Sequence, residues 1–483
     1  MWSWIDYVVV VVFLAWMLWL GVHNKDKNLN AEDFFLGNRQ IGWFAAMVSM
    51  FATYNSVWAF TGALGYAYKV GIGVLFFYLG CIAGSLGQTF FLADRIRATR
   101  GLTIFGFIEQ RFSLNFRWFA AGTNSLIYLM DGGMRLYATA IIPAVFIGWS
   151  TQTTIWVLFA VCIIYCVLGG MRAIISTDVL QGLLMFAVFL IAFVIGICKL
   201  NGGFMALGTL EPYYYQLGSD HYPWAEGLAV AIPAIFTHFM NFAFHGNRLL
   251  AVPNIKDAKK ASFFYAVATL LFGLLVFATG LMLAKAAPGM EDVEGGYIAY
   301  LNQILPTGML GLFAVAALAA TLSTIDSQAH NITGWLVTDI YMAKKQHDGK
   351  ALNDGLIVRI SRSVIALVIC SFLATSSMAG LIGIFNIVVA WLMPLVSPMS
   401  VILAAGLLWQ RFSVKVAWIT LIGSYLVFIF WKVFALPYSG IAVPFFALFV
   451  VLIGSFIFKP KQPEQEQIKQ FFDTIEANIK TNG

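Results

Sequence analysis

The sequence is short of charge. Asp, Glu, Lys and Arg make up 11% of its 483 residues, where a soluble protein carries about 25%. Such a chain cannot clothe a water-facing surface, so an ordinary soluble domain is excluded. Cysteine is scarce as well. Cys81, Cys162, Cys166, Cys198 and Cys370 all fall in apolar segments. None has metal-ligand spacing, and the pattern argues against a disulfide framework. Small buried core residues are predicted instead, with Cys162 and Cys166 one helical turn apart. The HExxH and CxxC metal motifs are missing. The glycines of "GYAYKVGIG", residues 65–73, read as a turn between spans and not as a phosphate loop. No basic n-region or small-residue cleavage site marks a removable signal, so the first apolar stretch is predicted to be retained.

What is present is apolar. Hydrophobic residues make up 60% of the chain, and the mean hydropathy is +0.82. The solvent that fits is a bilayer, whose core takes roughly 20 apolar residues per helical span. Thirteen spans are predicted, at 4–23, 41–66, 70–93, 118–149, 152–170, 174–198, 226–246, 260–284, 306–342, 358–376, 379–408, 413–431 and 437–458. With the N-terminus outside, alternation leaves 24 of the 29 basic residues in inside loops and the tail. Four, Lys69, Lys199, Lys285 and Lys432, lie outside, and Arg135 lies within a span. Retained positive charge on the cytoplasmic side is the general rule, so the split supports both span count and orientation. It also removes the nucleic-acid reading that a net charge of +6 would invite. Residues 1–459 form the membrane domain, and 460–483 form a cytoplasmic tail too polar to span, read as a short amphipathic helix or as disordered. Ten central spans divide into two sets of five, 41–198 and 226–408. Five spans per set force opposite orientations, as in an inverted-repeat transporter core whose first and sixth helices are broken.

Polar groups inside spans are costly and mark function or pairing. The richest stretch is "AALAATLSTIDSQAHN", Ala316–Asn331. Ala320, Ser323, Thr324 and Ser327 share one helical face, with Asp326 beside it and His330 one turn on. Hydroxyls and a carbonyl are hard oxygen donors suited to a small hard cation. The same residues also serve as hydrogen-bonding contacts between helices. Asp131 and Arg135, four apart, pair within a helix. They read either as a structural ion pair or as an Arg fork for a carboxylate. His238, His245 and Asn241 sit in the predicted sixth core helix, where a membrane histidine reads first as a packing residue. Asp6, near the outer end of its span, reads as a snorkelling interfacial carboxylate.

"LGGMRAIISTDVLQG", Leu168–Gly182, resembles the signature of the sodium/solute symporter family, with Gly169, Gly170, Arg172, Ala173, Thr177, Asp178 and Gln181 matching. Ser176 departs from it, standing where the family has tryptophan. "VSMFATYNS", Val48–Ser56, resembles the family's first repeat helix, and "ILPTGMLGLFAVAALAATLSTIDS" its eighth core helix. The likeness covers about residues 4–460. It implies a main sodium site of carbonyls from Ala52, Asn55 and Ala320 with the hydroxyls of Ser323 and Thr324. For some members it implies a second cation site, here Ser323, Asp178, Asp326 and Ser327. Asp326 departs from the family's serine or threonine, which leaves a second sodium, a proton or a pairing with His330 open. The solute positions it implies are Tyr54, Ser56, Tyr78, Arg135, His238, Asn241 and Asn386.

The expectation is therefore an all-α polytopic membrane protein with a five-plus-five core. It is a sodium-coupled symporter and not an enzyme. Its solute is small and polar, with a carboxylate expected from Arg135: a sialic acid, a monocarboxylate or an amino acid. Its partners are that solute, Na⁺ and the lipid bilayer of the inner or plasma membrane, and its functional unit is a monomer. Two rivals stay open, a solute sensor that keeps the fold without net transport and a symporter of an uncharged solute such as a sugar.

Overall fold

The computed structural model describes residues 2–23, 30–55, 62–291, 293–376 and 391–482, and among these the chain is helical, with one isolated β-bridge between Ser219 and Tyr222. Eight helical stretches are long and apolar enough to cross a membrane: Trp4–His23, Gly62–Ala98, Thr151–Lys199, Ile255–Ala286, Met309–His347, Asp354–Ser376, Val414–Val433 and Ser439–Ile457. Trp224–Phe239 and Met393–Leu408 are shorter and also apolar. Leu114–Ile147 adds 34 helical residues that carry the Asp131–Arg135 pair.

The stretch that begins at Thr151 is one helix in name only. Gly170 takes φ 61° and ψ −165°, a conformation open to glycine because it has no Cβ. The turn predicted at the Gly169–Gly170 pair is thus present, and it separates two helical arms. A second interruption divides the predicted 226–246 span. The Trp224–Phe239 helix ends, Met240 leaves helical geometry at φ −132° and ψ 75°, and helix resumes at Gly246–Ala251. Irregular backbone at this depth needs polar partners or a cavity. The Asn241 side chain supplies one by accepting from the Phe244 N–H at 2.9 Å.

The polar-faced helix, Met309–Gly334, occupies the centre. In the most apolar window of the Met309–His347 stretch 89% of residues are buried, against 33–61% in the other spans. Its neighbours are the arms of Thr151–Lys199 and the Leu114–Ile147, Trp4–His23, Asp354–Ser376 and Trp43–Asn55 helices. Two close approaches set the packing, one between the first helix and the central one and one between the second arm of Thr151–Lys199 and the Trp43–Asn55 helix. A Cβ on Gly311 would fall 2.6 Å from the Asp6 backbone, and one on Gly182 would fall 2.8 Å from Val48 Cγ1.

Several expectations change. Asp6 does not snorkel. It is fully buried and accepts from Ser3 N, Ser3 Oγ and Gly311 N at 2.7–2.8 Å, tying the first helix to the central one. Cys198 and Cys370 are exposed on the outer, apolar surface, while Cys81, Cys162 and Cys166 are buried. Arg97, Arg111 and Arg248, placed by charge counting in cytoplasmic loops, are buried too. Arg111 donates to the carbonyls of Gly406, Trp409 and Phe412 at 2.7–3.0 Å, capping a helix end whose last carbonyls lack intrahelical donors. The 287–304 region carries a helix, Val293–Ile304, where a loop was read. The tail is helical over Glu464–Asn482 and buries Ile468, Phe471, Phe472 and Ile475 against the body.

Candidate functional site

The Trp43–Asn55 helix lies against the central helix so that main chain meets side chain. Ser323 Oγ donates to Ala52 O at 3.1 Å and approaches Ala320 O at 3.1 Å. Thr324 Oγ1 lies 3.1 Å from Thr53 O and 3.2 Å from Ala320 O. Two hydroxyls and three carbonyls thus converge where the sequence placed a cation site, with Thr53 supplying a carbonyl not anticipated. Asn55 is buried nearby and donates its side-chain amide to Phe51 O at 3.2 Å. Neighbouring oxygens around a cation bound at roughly 2.3–2.6 Å, the calcium range, stand about 3.3–3.7 Å apart. The spacings of 3.1–3.2 Å lie a few tenths of an ångström below that; the two to Ala320 O are back-bonds within the helix, and the two to Ala52 O and Thr53 O cross between helices.

Half a turn along, the chemistry becomes ionic. Asp178 Oδ2 accepts from Ser49 Oγ at 2.5 Å and lies 3.4 Å from Arg248 Nη2, with both side chains buried. Arg248 also donates to Ser49 Oγ at 3.1 Å, Thr53 Oγ1 at 3.3 Å and Ser327 Oγ. Asp326 is bonded through Oδ2 to the Tyr165 hydroxyl at 2.6 Å. His330 instead packs between Phe34 and Phe35, so the Asp326–His330 pairing is not what the fold makes. Asp178 and Ser327 are thus joined through Arg248, while Ser323 and Asp326, one turn from each other on the central helix, bond to Ala52 and Tyr165. Sequence reading missed Arg248, Ser49 and Tyr165.

On the other side of Thr53 opens a cavity lined by Thr53, Tyr54, Arg135, Thr237 and Asn241 on its polar walls and by Phe77, Tyr128, Phe242 and Phe244 on aromatic ones. Arg135 is its only charged lining residue among the described residues. Asp131 holds the guanidinium through Nε at 2.7 Å, and Gln328 of the central helix donates to the same carboxylate oxygen. Tyr54, Arg135 and Asn241 are thus brought together. His238 and Tyr78 are not on the wall. His238 lies behind Tyr54, ring centroids 4.2 Å apart, with Nδ1 on Ala234 O. Tyr78 is buried against Gly273. Ser56 and Asn386 lie outside the described residues.

A model of the sodium:solute symporter family matches residues 34–423. The chain belongs to that family. Sodium is accordingly its coupling ion, and symport of a small solute its activity. It is 23% identical over 399 residues to the sodium/sialic acid symporter of Aliivibrio fischeri, covering 79% of each chain. It is 25% identical over 474 residues to the sodium/glucose cotransporter of Vibrio parahaemolyticus, covering 87% of this chain and 84% of that one. It is 25% identical over 448 residues to the sodium/pantothenate symporter of Escherichia coli, covering 84% and 86%. A solved structure of a Na⁺-coupled sialic acid symporter, substrate-bound and outward-open, superposes with a TM-score of 0.84 at 22% identity, covering 95% of this chain and 99% of that one. That likeness concerns the fold.

Proposed function

We propose that the chain imports a small carboxylate-bearing solute with Na⁺ by alternating access, and that Ala52, Thr53, Asn55, Ala320, Ser323 and Thr324 hold the main sodium. The convergence of the Ser323 and Thr324 hydroxyls on the 52–53 carbonyls carries this reading. Because those oxygens are neutral, sodium binds without a fixed counter-charge in the cage itself and leaves readily into a sodium-poor cytoplasm. Coupling follows from chain connectivity. Ala52 and Thr53 present carbonyls to the cage, while the side chains of Thr53 and Tyr54 line the solute cavity. Sodium orders that short segment, and the solute then meets a formed wall, which is a differential affinity between states as coupling requires. The membrane potential adds about 2.3 kcal/mol per charge per 100 mV.

The solute class rests on Arg135. A guanidinium at a mostly aromatic wall recognises a planar carboxylate attached to a body with apolar surface. The similar transporters named above act on a sialic acid, glucose and pantothenate, two of which are acids. The architecture in this proposal is thirteen spans with an inverted pair of five-helix repeats, 41–198 and 226–408. Support comes from the opened main chain at 240–245 in the second set. The unit acts as a monomer in the plasma membrane, N-terminus outside and C-terminus inside, and it carries out transport and not catalysis. Purified protein in liposomes tests the whole reading. An inward sodium gradient should drive accumulation of a carboxylate solute above equilibrium. Tight solute binding with no net flux would replace this reading with the sensor.

A further inference from the structure

The family resemblance implies, for some members, a second cation among Ser323, Asp178, Asp326 and Ser327. The fold tests whether these residues fit one. Arg248 emerges from the Gly246–Ala251 helix just after the break at 240–245 and inserts its guanidinium into that cluster. Its Nη2 reaches Ser327 Oγ, Thr53 Oγ1 at 3.3 Å and Asp178 Oδ2 at 3.4 Å, and its Nε reaches Ser49 Oγ at 3.1 Å. The side chain is 1% exposed and that of Asp178 is 0% exposed. Of the oxygens that a second sodium would need, Ser327 Oγ and Asp178 Oδ2 are thus already turned to N–H donors. A metal ion beside them would stand next to a guanidinium that stays protonated in proteins, in a place where water cannot screen the repulsion.

We propose that Arg248 is itself the second cation, tethered to the chain, so that the transporter binds one sodium per solute. The inference rests on reading the Ser323–Thr324 cage as the sodium site. Charge counting agrees with it. Arg248 and Asp178 cancel as a buried ion pair. Asp326 remains, with Oδ2 on Tyr165 and Oδ1 without a hydrogen-bond partner among the described residues. It sits one helical turn beyond Ser323 of the cage, where in ionised form it balances a single sodium. A second sodium would leave an excess positive charge in the core.

The test counts sodium on the intact protein. Equilibrium binding of radioactive sodium to purified transporter, with and without a saturating solute found by thermal-shift screening of carboxylic acids, should saturate at one ion per chain with a Hill slope near 1. Arg248→Ala should expose Asp178 and open a second position, raising the count to two and the slope above 1. The charge-balanced double variant Arg248→Ala with Asp178→Asn should return both to one. Two ions on the wild-type protein would overturn the inference and leave the cage reading intact. No saturable sodium binding on a folded wild-type protein would remove the cage reading, and this inference with it. Should Arg248→Ala not fold, the wild-type count decides alone.

Discussion

Replacing Gly182 with alanine should weaken sodium binding without altering the identity of any sodium ligand. The new methyl would fall 2.8 Å from Val48 Cγ1, 3.2 Å from Ala52 Cβ and 3.2 Å from Val48 O. Carbon atoms rest at about 3.5–4.0 Å, so the Trp43–Asn55 helix must move off by about 0.7 Å. Val48 is β-branched and cannot simply swing aside. That helix carries the Ala52 and Thr53 carbonyls, which lie 3.1 Å from the Ser323 and Thr324 hydroxyls. Overpacking of this kind costs about 1–3 kcal/mol. Each 1.4 kcal/mol expressed in binding is a factor of ten, so the apparent sodium Kd should rise about tenfold. The assay is the sodium dependence of thermal stability in detergent. Gly122→Ala is the control, because its methyl would meet nothing within 4 Å. A folded Gly182→Ala protein with the wild-type sodium response would refute the proposed geometry.

Other outcomes follow from single contacts. Arg135→Ala should raise the KM for a carboxylate solute at least about tenfold, the loss of one charge-assisted hydrogen bond, and that for sodium far less; equal effects would assign Arg135 a structural role. Tyr165→Phe removes the hydroxyl that Asp326 accepts at 2.6 Å. Leaving that buried carboxylate oxygen without its donor should cost about 1–3 kcal/mol, read as a lower Tm, and an unchanged Tm would count against the pairing. Phe471→Asp should free the 464–482 helix, in which Phe471 is buried and stacked on Phe107. Faster proteolysis of the tail is the expected sign, and wild-type resistance the contrary one.

The cation face was legible because a helix repeats its faces. Ala320, Ser323, Thr324 and Ser327 at i, i+3, i+4 and i+7 must lie together whatever surrounds them. The break at Gly169–Gly170 was legible because Arg172 falls between two apolar runs and the pair belongs to the stretch that resembles the family signature. Arg248 was not. Counting basic residues beyond span ends sorts charge by position along the chain, whereas Arg248, which follows the opening at 240–245, is buried. Asp6 misled for a similar reason. Its place near the end of an apolar run indicates an interface, but its partner, the Gly311 N–H, is 305 residues away. The solute wall combines Tyr54, Phe77, Tyr128, Phe242 and Phe244 from separate helices. Each is an ordinary aromatic in its own segment, so no local pattern marks the set.

The most direct measurement removes both hydroxyls from the cage. Ser323→Ala combined with Thr324→Ala deletes two of the proposed sodium oxygens and leaves the carbonyls of Ala52, Thr53 and Ala320 in place. Radioactive sodium binding to the folded double variant should fall below detection, and solute accumulation in liposomes should stop responding to external sodium. Sodium binding of wild-type affinity on that variant would contradict the account.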